Sequence, residues 1–312
     1  MPQGHDGDTV FFLSDYGLDD EFVGVVHAVL RSRAPGTRVI DLSHGVPPFD
    51  VVAGSAMLVR SIPYLGAGVV LAVVDPGVGG ARRPVALQTA ANVGPNWFVG
   101  PDNGLLVAAA EACGGITSAV QMTTAIGDVI EGARTFDGRD VFAPAVAALC
   151  TGADLTELGE SIDPATLYRL ATPEVVRRVT EDGGVFVRAP VTWVDRFGNA
   201  QLAADAEPEF AASTFGGHAS AWVESTEGDR RLSLLAVATG RAREGTPGSG
   251  GAWLRPIEAR LVSVFGDLGP GELGVLADAN GRLAIVVREG SAATTLGVGV
   301  DDVIELSDRP RP

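Results

Sequence analysis

The chain has 312 residues, enough for one large or two ordinary domains, each burying its own core. Apolar residues are 46% and charged residues 20%, with 41 glycines and 19 prolines, which excludes a disordered chain and describes a compact, turn-rich protein. A net charge of −16, with no Lys/Arg stripe to offset it, would repel a polyphosphate backbone, so nucleic acid is not an expected partner. Cys113 and Cys150 are the only cysteines and have neither a C-x-x-C neighbour nor a His at metal-ligand spacing, so both read as small buried apolar residues. The start of the chain lacks the basic flank and apolar run of a secretory signal. No uninterrupted apolar stretch reaches the ~18 residues of a membrane span, so a cytoplasmic protein with no membrane partner is expected.

In chain order, TVFFLS at 9–14 predicts a buried strand running into the turn-like DYGLDD. Phe22, Val25, Val26, Val29 and Leu30 recur at helical spacing over 21–31. RVIDL at 38–42 predicts a strand, 51–60 a helix, and the fully apolar GVVLAVV at 68–74 a strand of the kind found inside parallel sheets. A strand at 97–99 leads through GPDNG into a helix over 105–112, and 141–150 predicts another, Ala-rich helix. This half is α/β in pattern, with a central, mostly parallel sheet. After the proline-containing stretch 164–173 come short strand-like runs at 185–187, 191–194, 219–223, 232–238, 259–264 and 283–287, which predict an antiparallel β domain. A Gly/Arg/Ser/Pro-rich stretch at 239–251 reads as a mobile loop. The expected domains are 1–178 and 179–312.

Four segments carry candidate chemistry. Asp15, Asp19 and Asp20 follow the first strand at the carboxyl edge where open α/β sheets place ligands; such carboxylates can hold a ribose diol or a divalent cation, or cap a helix. DPGVGGARRP at 75–84 has neither a Walker pattern nor a G-x-G-x-x-G, which disfavours nucleotide-phosphate binding. Its spacing allows Asp75 and Arg82 to pair, as ligand-binding groups or as a structural ion pair. TFDGRDVF at 135–142 places Asp137, Arg139 and Asp140 around Gly138 ahead of a helix, Asp140 being explained by helix capping. VDRFGN at 194–199 offers an aromatic face and an amide that could read a purine, or a β-turn with a packing Phe. His5, His27, His44 and His218 are too scattered for a metal centre, and no G-x-S-x-G accompanies a Ser-His-Asp set, which would need His44.

Taken in order, SDYGLDDEFVG, DLSHGVPPFDV, VVDPGVGGARRP, FVGPDNGLL, TFDGRDVFAP, VDRFGN and REGSAATTLGVGVDDVIEL resemble the S-adenosylmethionine hydroxide adenosyltransferase (hydrolase) family, relatives of the fluorinase and chlorinase, over about residues 9–306. The resemblance implies an α/β N-terminal domain and a C-terminal antiparallel β-barrel. It also implies a homotrimer with sites at subunit interfaces, where the N-terminal domain of one subunit meets the C-terminal domain of the next. It implies hydrolysis of S-adenosylmethionine to adenosine and methionine without a cofactor or metal. Residue by residue, Asp15 would hold the ribose hydroxyls and Phe49 would form a wall beside ribose and sulfonium. Phe197, Asn199 and Phe265 would frame adenine, Arg288 and Gly290 would close over its edge, and Asp195 would meet the methionine ammonium. Asp20, Gly138 and Asn280 complete the expected substrate contacts. Asp75 and Arg82 match two members of the hydrolases' Asp-Arg-His catalytic set. Where the family pattern reads TFHGRD, the third residue here is Asp137, a weaker base than imidazole unless a proton is shared with Asp75. A halogenase, with chloride beside Gly138, and a non-catalytic S-adenosylmethionine or adenosine binder are the alternatives. Asp75 disfavours the halogenase, because a carboxylate near a desolvated halide opposes its binding.

Overall fold

In the computed structural model, which describes residues 9–90, 94–123, 135–179, 185–206, 231–237 and 257–307, the chain divides into two compact units, Met1–Ala171 and Thr172–Pro312. The first is built on a seven-stranded sheet of β1 (Thr9–Ser14), β2 (Arg38–Ser43), β3 (Val69–Val73), β4 (Pro84–Thr89), β5 (Trp97–Pro101), β6 (Ile116–Met122) and β7 (Gly159–Ile162). Their order is β2-β1-β3-β5-β4-β6-β7. β1 pairs in parallel with β2 and β3, and β3 with β5. β4 runs antiparallel to β5 and β6, and β6 to β7. The sequence reading had no strand at β4; the link from β4 to β5 is too short for the crossover that a parallel pair needs, so the two form a hairpin.

Side-chain alternation along β1 sends Val10 and Phe12 into a core with Val26 and Leu30 of α1 (Phe22–Arg33) and with α4 (Ala143–Cys150). Phe11 and Leu13 point the other way and are also buried, as expected of a strand covered on both faces. α2 (Val51–Ser61) starts at Asp50, whose side chain accepts from Ala53 N at 2.9 Å. A Cβ on Gly54 would come within 2.8 Å of Leu105, ahead of α3 (Val107–Ala112), so close helix packing requires glycine there. The helix expected over 141–150 begins instead as a π-helical turn, Gly138–Phe142, and becomes α-helical at Ala143. Pro144 in its first turn has no N–H to donate, which suits a change of hydrogen-bond pattern at that point.

The second unit carries an eight-stranded curled sheet of β8 (Val176–Val179), β9 (Val185–Val194), β10 (Ala200–Asp205), β11 (Arg231–Val237), β12 (Ile257–Leu261), β13 (Leu273–Ala277), β14 (Arg282–Val287) and β15 (Val303–Ser307). The order is β10-β14-β13-β12-β11-β15-β9-β8, and β10 also pairs with β9. The expected all-antiparallel sheet is corrected at one place, because β12 and β13 are parallel. The chain between them passes through a short 3-10 turn, Phe265–Asp267, and re-enters in the same direction. The expected runs at 185–187 and 191–194 are one strand, β9, with Pro190 facing Val303 of β15. β8 pairs with β9 and so belongs to this unit, whose division from the first falls at Ala171/Thr172. Val187, Ala189, Val191, Leu202, Val275, Ile285 and Ile304 form its core. The strand expected at 219–223 and the loop at 239–251 lie outside the described residues. Among those residues no helix is long and apolar enough to cross a membrane.

Candidate active site

The chain leaves β1 to one side for β2 and returns on the other for β3, so the carboxyl ends of β1 and β3 form a topological switch point, where open α/β sheets open a crevice. Asp15 follows β1 and Asp75 follows β3. Arg82 folds back on Asp75, its Nε 2.9 Å from both carboxylate oxygens. Its Nη2 donates to Asp75 Oδ2 and also to Oδ2 of Asp137, which precedes the π-helical turn. The three predicted catalytic residues are thus assembled by one guanidinium held between two carboxylates. All three side chains are largely buried, at 6% exposure for Asp75, 12% for Arg82 and 14% for Asp137. Burial works against the charge of Arg82, but the hydrogen bonds and charges of Asp75 and then Asp137 outweigh it and hold the guanidinium above its ordinary pKa. The ring of Phe142 lies 5.4 Å beneath it. Each of the two acids accepts from Arg82, which stands between them.

Asp15 joins this region from β1. Its Oδ2 accepts from Phe49 N at 2.9 Å, bringing together the two residues expected beside the ribose. Phe49 adopts a left-handed backbone at φ 67° and the residue is 71% exposed, a strained placement stabilised by that hydrogen bond. Between Asp15 and Gly17 stands Tyr16, which the sequence reading passed over. Burial, and then the charges of Asp15, Asp75 and Asp137, push its phenol far above the ordinary tyrosine pKa, so it stays a neutral hydrogen-bond donor. A Cβ on Gly138 would lie 2.1 Å from Tyr16 Oη, so the space left by the missing side chain is occupied by that hydroxyl and is no open halide pocket. Tyr16, Phe22 and Phe136 pack edge-on or tilted, with centroids 5.1–5.7 Å apart. Asp20 is exposed and is not drawn into the cluster. Asp140 is buried in the first turn of the helix that opens at Gly138, as its structural explanation expects, and is also paired with Arg139 at 2.7 Å.

In the second unit, VDRFGN forms the turn from β9 to β10. Asp195 Oδ1 accepts from Phe197 N at 2.8 Å and Asn199 N at 3.0 Å, and its Oδ2 from Asn199 Nδ2 at 2.8 Å. The carboxylate expected to meet an ammonium therefore also organises its own loop. It leaves Phe197 71% exposed. Gly198, at φ 82°, packs against Ser291 ahead of α5 (Ala292–Leu296), and Ala293 N donates to its carbonyl at 2.9 Å. At this same end of β14, Arg288 donates to Leu268 O at 2.6 Å and ties down the turn carrying the half-exposed Phe265. Gly290 follows, where a Cβ would lie 2.8 Å from Val287. Asn280 falls in the turn before β14, the opposite end of a six-residue strand spanning about 20 Å, so the structure does not gather it with the others.

A family model described as SAM hydroxide adenosyltransferase N-terminal domain matches residues 10–159, and the corresponding C-terminal domain model matches residues 248–305. The chain belongs to this family. It is 41% identical over 298 residues to a protein of Salinispora tropica named (R)-S-adenosyl-L-methionine hydrolase, covering 96% of this chain and 97% of that one. A fluorinase of Actinoplanes sp. is 29% identical over 211 residues, covering 61% of this chain and 69% of its own. The crystal structure of an uncharacterized conserved protein from Thermotoga maritima, 30% identical, superposes with a TM-score of 0.74 over 95% of this chain and 99% of that chain.

Within this member of the family, the sequence signal for Tyr16 was its place beside Asp15 at a strand end, where a polar aromatic has little reason to be buried. Of the four histidines read as scattered, His5 and His218 lie outside the described residues, and His27 and His44 come together. His27, Asp41 and His44 converge, with both Nε2 atoms near Asp41 Oδ1. Ser14 Oγ lies 2.8 Å from His44 Nδ1, completing a Ser-His-Asp order in space. Ser14 is fully buried and its Oγ accepts from Tyr16 N at 3.3 Å, so it has no access to a substrate as a nucleophile.

Proposed function

We propose that the chain hydrolyses S-adenosyl-L-methionine to adenosine and L-methionine. A water oxygen bonds to the ribose 5′ carbon as the carbon–sulfur bond breaks, its electron pair stays on the departing thioether, and the water proton passes to a carboxylate and then to solvent. The observation that carries this reading is Arg82 held between Asp75 and Asp137 at the switch point, in a member of a family whose relatives at 41% identity are named for this activity. One cation between two anions leaves a net negative site, which attracts a sulfonium and opposes a halide. A neutral leaving group needs no general acid, so the site's task is to hold water in line and exclude bulk solvent. Asp15 and Phe49 are assigned to the ribose, and Phe197, Asn199, Phe265, Arg288 and Gly290 to adenine. Asp195 is assigned to the ammonium through the lone pair its loop leaves free. No cofactor enters the step.

The resemblance also supports a homotrimer, and the extra β9–β10 pairing supports closure of the second sheet into a barrel. The deciding experiment is incubation of the purified protein with S-adenosylmethionine and chloride in water labelled with heavy oxygen. The expected product is adenosine labelled at its 5′ oxygen. A chlorinated nucleoside would assign halogenation instead, and tight binding without product would assign a binding protein.

A further inference from the structure

A second group of ligand-bearing side chains is built at the β1–β2 edge of the first sheet. His27 on α1 places Nε2 2.9 Å from Oδ1 of Asp41 on β2, and His44, just beyond β2, places its Nε2 3.1 Å from the same oxygen. The three donor atoms lie within 4.8 Å of one another. An ion bound at about 2.0–2.2 Å to each would need donors roughly 3 to 4 Å apart, a spacing within reach of small rotations of the partly exposed His27 and Asp41.

His44 turns this proximity into a site. Its side chain is 4% exposed, and among the described residues its Nε2 has no hydrogen-bond partner: Asp41 is near but out of line. A buried ring nitrogen without a partner is rare and asks for something to fill it. The other nitrogen, Nδ1, is engaged by the buried Ser14 Oγ, which already accepts from Tyr16 N and has a lone pair left to accept the Nδ1 proton. Ser14 thereby orients the ring and leaves Nε2 on the side of Asp41, the way an outer-shell partner orients a metal-bound histidine. Arg31, one helical turn beyond His27, donates from its guanidinium to Pro35 O.

The geometry points to a site for one divalent first-row transition ion of the zinc type, held by Nε2 of His27, Oδ1 of Asp41 and Nε2 of His44, with water completing the coordination. Two imidazoles and one carboxylate suit zinc, cobalt or nickel and disfavour calcium and magnesium, which prefer oxygen throughout. The ion would tie α1 to β2 and, through Ser14, to the end of β1 from which Tyr16 and Asp15 continue. This inference stands whether or not the proposed hydrolysis is correct.

The test is titration of the tag-free full chain with zinc chloride by calorimetry, with cobalt chloride followed by visible absorption. One ion per chain is expected, with cobalt bands of a mixed nitrogen and oxygen site and a rise in the thermal midpoint. His27→Ala and Asp41→Asn, at partly exposed positions that leave the core intact, should each weaken binding by about tenfold or more. Absence of stoichiometric binding, or binding that both variants keep at full strength, would overturn the site.

Discussion

Asp75 gives both carboxylate oxygens to Arg82, while Asp137 gives one, so the two acids are not equivalent although each faces the same guanidinium. Asp75 fixes the guanidinium plane, and Asp137 retains an oxygen that this contact does not use. Asp137 stands where the family pattern has imidazole, and one of its oxygens is held by Arg82. Rate must then come mainly from alignment of the water and from the substrate's own leaving group. Asp75→Asn keeps the shape but removes one negative charge and frees the guanidinium plane. We expect its turnover to fall about 100-fold while KM changes far less, since Asp75 is not among the residues assigned to adenine or ribose. Steady-state kinetics would check this, and an unchanged kcat would remove Asp75 from the mechanism.

At the scale of elements, the residues assigned to the proposed site lie at the ends of strands and in the turns beyond them. Asp15 and Asp75 follow β1 and β3, Asp137 and Gly138 open a π-helical turn, and Phe197 and Asn199 ride a turn closed by Asp195. Loops are positioned by what they touch, and the β9–β10 turn is fixed by Gly198 against Ser291. An Ala at Gly198 would require a left-handed backbone at φ 82° and place its Cβ 2.0 Å from Ser291 Oγ. Gly198→Ala should therefore destabilise the protein by about 2 kcal/mol or more, and also weaken adenosine binding through displacement of Phe197 and Asn199. Urea unfolding and calorimetry would measure the two effects. An unaltered midpoint would mean that the turn is looser than its contacts indicate.

Over the whole molecule, buried groups with raised pKa values set the alkaline limit of stability. The Tyr16 phenol holds its proton more tightly in the folded chain than at its unfolded value of 10.0, and burial pushes the Cys113 thiol from 9.0 up to about 11. For both, the folded pKa exceeds the unfolded one. Their contribution is complete below the unfolded values and is lost as pH rises towards the folded ones. Stability should thus decline with increasing pH above about 9, more steeply beyond about 10. Tyr16→Phe should flatten the second part of that decline, as read from unfolding midpoints across alkaline buffers. An identical slope in the variant would show that Tyr16 ionises freely in the folded state.

The sequence by itself determined the α/β first half, the strand Thr9–Ser14 to the residue, and the family, because strand runs and ordered motifs are local and survive without knowledge of neighbours. Asp75, Arg82 and Asp137 stand out in the sequence as candidates, and the fold brings the three side chains into contact. The sequence by itself did not find β4, whose short run PVALQT gives little periodicity, and it split β9 at Pro190 because proline usually ends a strand. Tertiary structure alone decided that Arg82 separates the two acids, that Tyr16 fills the space over Gly138, and that Asn280 lies at the far end of β14. It alone brought His27 to His44 across a helix and a strand. These are contacts between residues far apart in the chain, and their distances follow from strand order and packing, which composition and spacing do not encode.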